Sequence, residues 1–385
     1  MIRFHDAVHA ALSELEHAGL LRAPRVIAGA QGPEVEIEGR RVLNLCSNNY
    51  LGLAGDPRLA AAAIHAIQET GIGAGASRQI SGTGTLHRAA ETRLAAFVGL
   101  PGSVLFSTGY AANVGAIPAL VDPDALILSD RLNHASLIDG CRLSRARVLV
   151  YEHLDCDHIE RLLRAHRAEH STALLVTESL FSMDGDLAPL ADLRALCDRY
   201  ELGLYVDEAH AIGVLGPHGR GACADARVTA DVLVGTLGKA FGVSGAFVAG
   251  TSPLVRLVEN RSRSFVFSTA SPAALAAAVI AATDAVEAAD DRRAVLAAHA
   301  IHLRTRLEAA GYRVSRGTSA IIPVVIGDPV STMRLSADLL AAGVFVHGIR
   351  PPTVAPGTSR LRMTPMATHS RDQLDAALAA FPEPE

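Results

Sequence analysis

Seven short segments, 103–106, 125–129, 147–150, 172–178, 202–206, 231–235 and 244–249, are almost continuously apolar. Runs such as Leu204-Tyr205-Val206 and Asp231-Val232-Leu233-Val234 show no polar alternation. Strands of that kind need cover on both faces. Helical stretches at 110–120, 156–168 and 190–199 lie between them. This alternation predicts an α/β fold whose seven-stranded, mostly parallel sheet is sandwiched between helices.

The flanking segments are different. Residues 5–20 place Val8, Leu12, Leu15 and Leu20 at helical spacing, and 35–37 and 42–45 are extended. A polar loop, Cys46 to Leu53, precedes a helix at 57–69 and the glycine-rich stretch 71–84. Ser271-Pro272 supplies an N-cap and a first-turn proline for a long Ala-rich helix to about 289. A second, smaller α+β unit follows, with helices at 291–310, 330–342 and 371–380 and strands near 320–326 and 360–364. The expected division is an N-terminal segment 1–45, a large domain 46–282 and a small C-terminal domain 283–385.

Composition removes several functions. The net charge is −5 with no Lys/Arg-rich block, so neither nucleic acid nor an anionic membrane surface is an expected partner. The Ala-rich run 273–282 is too short to span a bilayer, and charges in Met1–Asp6 displace the apolar core of a secretion signal. Cys46, Cys141, Cys156, Cys197 and Cys223 are scattered without CxxC spacing, as expected of reduced thiols in the cytoplasm. His153-x-x-Cys156-x-His158 lacks a second ligand pair, so no metal is expected.

The chemistry sits where strands end. After the strand 231–235 comes Gly235-Thr236-Leu237-Gly238-Lys239-Ala240-Phe241-Gly242. Small neighbours leave room for a flat ligand at the Lys239 amine, and an apolar pocket favours its neutral, nucleophilic form. The segment is too short for a P-loop, and Ala240 replaces the hydroxyl that would hold magnesium. Gly71-x-Gly73-x-Gly75 lacks dinucleotide spacing. Ser107-Thr108-Gly109-Tyr110 turns from a strand into a helix and offers backbone N–H groups to a phosphate. Asp207 ends an apolar strand, with His210 three residues on, and a carboxylate buried there needs a cation such as a protonated pyridine. His134 and the loop 178–186 close two further strands. A phosphate cup, a ring acid, a stacking imidazole and a Schiff-base lysine together make the ligand set of pyridoxal 5'-phosphate.

With these residues the chain resembles the α-oxoamine synthases, fold-type-I pyridoxal-phosphate enzymes, over essentially its whole length. The likeness is carried by SNNYLGL (47–53), GAGASRQISGT (73–83), STGYAAN (107–113), NHASLIDG (133–140), ESLFSMDGD (178–186), VDEAHAIGVLG (206–216), GTLGKAFGVSG (235–245), FSTASP (267–272) and IRPPTVAPGTSRLRMT (349–364). The resemblance implies that Lys239 forms the Schiff base and moves the substrate Cα proton, and that Asp207 holds the ring nitrogen. It implies that His134 stacks on the ring and that His210 and Ser182 contact its phenolic oxygen. Gly109, Tyr110 and Thr236 would hold the phosphate, with Ser268 and Thr269 reaching a partner subunit's phosphate in a homodimer. Arg362 and Arg350 would read the substrate carboxylate, with Asn48, Thr353 and Arg22 as further substrate contacts.

The implied reaction is a decarboxylative condensation of L-alanine with a pimeloyl thioester, carried by coenzyme A or an acyl-carrier protein, in biotin biosynthesis. Asn49, Ala211-Ile212 and Val354-Ala355-Pro356 depart from that branch, whereas Arg350-Pro351-Pro352-Thr353 agrees with it. A family member using glycine or another acyl thioester stays open as the alternative.

Overall fold

The computed structural model describes residues 3–315 and 317–383. In chain order its strands are Ile27–Ala28 (β1), Glu34–Ile37 (β2), Arg40–Asn44 (β3), Gly102–Phe106 (β4), Leu126–Asp130 (β5), Arg147–Tyr151 (β6) and Ala173–Glu178 (β7). There follow Gly203–Asp207 (β8), Val232–Thr236 (β9), Ala246–Gly250 (β10), Ile322–Gly327 (β11), Val344–Phe345 (β12), His347–Ile349 (β13) and Ser359–Met363 (β14).

The expected seven-stranded sheet is present, ordered β4-β10-β9-β8-β7-β5-β6. Neighbours from β9 to β6 run parallel, and β10 is antiparallel to both β9 and β4. The length of the β9–β10 connection dictates that reversal. A parallel crossover needs about a dozen residues or more, and residues 237–245 are too few, so the chain turns back as a hairpin carrying Lys239. Two cores form because successive side chains point to opposite faces. Leu204, Val206 and Leu233 enter one cluster, while Tyr205, Val232 and Val234 enter the other.

Two smaller sheets complete the chain, one ordered β1-β2-β3-β12 and one ordered β11-β14-β13. β12 pairs parallel with β3, joining segments some three hundred residues apart, a pairing that no local pattern announces. Helices at Thr85–Val98 and Ala135–Ser144 are also additions to the sequence reading. The first helix spans Phe4–His17, shorter than expected. Gly19 stops it with a left-handed φ of 64°.

Candidate active site

The parallel strands deliver their C-terminal ends to one edge. Glu178 ends β7 and Asp207 ends β8, and the two are register partners. The β9–β10 hairpin leaves from the same edge. Its bonds Leu237 N–H to Gly245 O at 2.9 Å and Gly242 N–H to Lys239 O at 3.0 Å fix the lysine's backbone. Gly242 has φ +67°, and a Cβ there would lie 2.3 Å from Ala54 N, so only glycine closes this turn.

Above the edge opens a cavity of about 360 Å³, lined by Gly109, His134, Glu178, Asp207, Thr236 and Lys239 among others. A second lobe of about 250 Å³ shares Asn48, His134, His210 and Lys239 and adds Ser182, His347 and Arg362. Together they form a bent cleft.

Burial lowers the Lys239 amine to about 8, against the opposing pull of the Asp207 and Glu178 charges. Its Nζ lies 2.9 Å from His210 Nε2. Burial, then the positive charges of Lys239 and Arg362, holds His210 well below its usual range, so the ring is neutral. With Nε2 accepting from the amine, the imidazole proton sits on Nδ1 and is donated to Tyr50 Oη at 2.7 Å. Tyr50, 1% exposed, donates on to Asn48 Oδ1 at 3.3 Å. That oxygen also accepts from Arg362 Nη1 at 3.1 Å. Both His210 nitrogens are therefore engaged by protein groups.

Asp207 is 4% exposed. Its Oδ1 accepts from Ala209 N–H at 2.9 Å and its Oδ2 from Asn113 Nδ2 at 2.7 Å. Glu178 beside it accepts from His134 N–H at 2.7 Å. Burial and the Asp207 charge push Glu178 up to about 8, so that it ionises over the same pH range as the Lys239 amine. Two adjacent carboxyls cannot both ionise cheaply away from water. His134 caps the helix Ala135–Ser144 and faces both lobes; burial lowers its ring.

The helix Gly109–Leu120 begins where β4 ends, with Thr108 Oγ1 accepting from Ala111 N–H at 3.0 Å. The amides of Gly109 and Tyr110 belong to its first turn, where helix geometry supplies no acceptor. A Cβ on Gly109 would lie 2.7 Å from Thr236 Cγ2, so glycine lets the helix start and the end of β9 meet. The Tyr110 hydroxyl donates to Asp139 Oδ2 at 2.5 Å, so the backbone of Tyr110, not its hydroxyl, is what could meet an anion at this helix start.

Arg362 is 6% exposed. Its Nε donates to Ser182 O at 2.6 Å, and its Nη2 is buried without a hydrogen-bond partner among the described residues. A buried guanidinium nitrogen without a partner beside the cleft is suited to donate to a carboxylate oxygen. Ser182 itself is held through its carbonyl. The loop bearing it is further tied by His153, which bridges Asp130 and Asp186 at 2.9 Å each. Burial opposes charge on His153, but the two aspartates raise it to about 9.

The remaining expected residues lie outside the Lys239 lobe. Arg22 Nη2 is 3.4 Å from Thr353 Oγ1, and Arg350 Nη2 donates to Leu21 O at 3.2 Å. Ile349, adjacent to Arg350 in sequence, lines the second lobe with His347, whose ring is lowered by burial and by the charges of Arg25, Arg350 and Arg22. Ser268 and Thr269 are exposed and line a separate recess with Arg78 and His87. Asn113, Ser136 and Glu178 also line the first lobe and Tyr50 reaches it through His210, none of them among the expected residues. For Glu178 the available signal was its place at a strand end beside the Asp207 strand. Tyr50, Asn113 and Ser136 lie inside quoted motifs but carry no individual mark.

Among the described residues, no helix is long and apolar enough to cross a membrane. Residues 40–381 match the family described as aminotransferase class I and II. An 8-amino-7-oxononanoate synthase of Geobacter sulfurreducens is 49% identical over 374 residues, covering 96% of this chain and 95% of the relative. Serine palmitoyltransferase from S. paucimobilis, solved with a bound pyridoxal phosphate–myriocin adduct, matches with a TM-score of 0.92 at 31% identity, covering 98% of this chain and 96% of that one. An 8-amino-7-oxononanoate synthase from Francisella tularensis matches with a TM-score of 0.76 at 27% identity, covering 88% of this chain and 96% of that one.

Proposed function

The chain belongs to the class I and II aminotransferase family and, within it, to the α-oxoamine synthases, and on that premise we propose that it condenses L-alanine with a pimeloyl thioester. The products are 8-amino-7-oxononanoate, carbon dioxide and free thiol, in biotin biosynthesis. The cofactor is pyridoxal 5'-phosphate. The observation that carries this reading is the convergence of Lys239 and Asp207 on one cleft, with the amine's proton affinity reduced by burial.

The residues fit the cofactor. The cavity suits a ring of that size. Lys239 offers the amine, Asp207 the carboxylate for the ring nitrogen, and the Gly109 and Tyr110 amides with Thr236 the phosphate seat. His134 would cover the ring face, and His210 and Ser182 would be the residues on the side of its phenolic oxygen. When bound, the cofactor supplies an electron sink for charge developing at the substrate α-carbon.

The chain's own residues do the rest. Lys239, partly neutral near pH 7, takes the Cα proton of alanine and later returns it, with His210 accepting an N–H from the amine. Arg362 Nη2 binds the alanine carboxylate while Asn48 and Ser182 hold the guanidinium in place. Arg22, Arg350 and Thr353 meet the far carboxylate of the pimeloyl chain beyond the second lobe. Coenzyme A or a carrier protein presents the thioester. Ser268 and Thr269 serve the phosphate of a second copy in a homodimer, which acts in the cytoplasm.

The test is thiol release by purified protein, crossing alanine, glycine and serine with pimeloyl and short-chain thioesters, after its visible spectrum is recorded. Release confined to alanine plus pimeloyl thioester is expected. Preference for glycine or a short acyl group would refute the substrate assignment.

A further inference from the structure

A buried chain of hydrogen bonds links Asp207 to His134 through two side chains that have no part in the chemistry above. Asn113 lies on the helix Gly109–Leu120 and is 1% exposed. Its Nδ2 donates to Asp207 Oδ2 at 2.7 Å and to Ser136 Oγ at 2.9 Å. Its Oδ1 accepts from Tyr205 Oη at 2.8 Å. Only one amide orientation satisfies all three contacts, because the reverse sets an amide oxygen against a carboxylate. Ser136 Oγ, having accepted from Asn113, has one proton to give and one remaining neighbour, His134 Nδ1 at 2.8 Å. The Ser136 backbone N–H points at the same nitrogen from 3.2 Å. Two donors on Nδ1 require its lone pair, so the ring proton belongs on Nε2. Nε2 has no protein partner among the described residues, and the ring lines both lobes of the cleft.

We propose that Asn113 is a positioning residue that holds Asp207 in a fixed orientation and, through Ser136, locks His134 as the neutral Nε2–H tautomer, so that the imidazole presents a hydrogen-bond donor to the cleft. Tyr205 completes the device by fixing the Asn113 amide. Without Asn113 the Ser136 hydroxyl is free to rotate and accept from Nδ1–H, leaving only the Ser136 backbone N–H to oppose that tautomer, so that in part of the molecules the cleft-facing nitrogen turns from donor to acceptor. The same loss leaves one oxygen of Asp207 unsupported. The catalytic consequence rests on the function proposed above; the tautomer does not.

The test uses protein labelled with 15N-histidine, with and without cofactor, and long-range proton–nitrogen correlation spectra at neutral pH. His134 is assigned by the signals missing from His134→Gln. The expected result is a protonated Nε2 and a bare Nδ1. A protonated Nδ1, or a charged ring, overturns the proposal on the unmodified protein, whatever the variants do. In the variants Asn113→Ala and Ser136→Ala the Ser136 backbone N–H alone still holds Nδ1, so the Nε2–H form should stay the major one while a minor Nδ1–H population appears. The turnover number should fall about ten-fold in each, with the KM for alanine nearly unchanged. Because the two residues act in series, the double variant should lose little more than Asn113→Ala alone. Losses that multiply would overturn the relay. The expected tautomer in a protein that releases no thiol from alanine and pimeloyl thioester would support the lock and refute the reaction.

Discussion

Capture of pyridoxal 5'-phosphate by cofactor-free protein measures the state of the Lys239 amine directly. Only the neutral amine attacks an aldehyde. Burial disfavours the ammonium, so Lys239 loses its proton as pH rises through about 8 instead of the ordinary 10.5. At pH 7 a midpoint of 8 leaves about 300-fold more neutral amine than a midpoint of 10.5. The capture rate, followed by the growth of visible absorbance, should therefore rise with pH and level off above a midpoint near 8. Asp207 is the largest influence opposing burial, with Glu178 next. Asp207→Asn removes a negative charge that stabilises the ammonium, so the midpoint should move down, and Glu178→Gln should move it down by less. Amplitudes will change for other reasons, since Asp207 is also the carboxylate proposed to hold the ring nitrogen; the midpoint is the informative quantity. A midpoint above 10, or an upward shift in Asp207→Asn, would refute the reasoning.

Glu178 gives a pH signature in stability. Its folded value is raised to about 8 from 4.5, so its contribution is complete below about 4.5 and is lost as pH rises towards 8; urea unfolding of cofactor-free Glu178→Gln should lack that decline, and an unchanged decline would count against it. Arg362→Lys loses the planar fork that holds Ser182 O and Asn48 while keeping Nη2 free to donate; the KM for alanine should rise about 10- to 100-fold, and an unaltered KM would argue against the proposed role of Arg362 in reading the carboxylate. Gly242→Ala forces a positive φ and a 2.3 Å contact with backbone on the hairpin; a cost of about 2 kcal/mol or more in urea unfolding, with weakened cofactor retention, is expected. Glu91→Ala strips Arg78 of its buried partner at 2.8 Å and Leu105 N–H of its acceptor at 3.0 Å; the expected loss is about 3–5 kcal/mol, and a loss under 1 kcal/mol would show that the pair is not needed.

The sequence alone determined the strand and helix alternation, the sheet it demands, and the placing of Lys239, Asp207 and His134 at strand ends. Those features are local: apolar runs, glycine turns and chain lengths between them act over a few residues, and the short β9–β10 connection even carries its reversal in its length. Tertiary structure alone decided which side chains meet. Glu178 and Asp207 become neighbours through register, and Tyr50, Asn113 and Ser136 join the site from elements far apart in the chain. Arg362 enters the cleft on β14, whereas Arg350 and Arg22 gather beyond its second lobe. Nothing in a linear pattern separates these arginines, because burial and the loss of hydrogen-bond partners are properties of packed surfaces. Proton affinities follow the same rule: the amine and the carboxyl of Lys239 and Glu178 are ordinary groups until the fold removes their water and sets them beside Asp207.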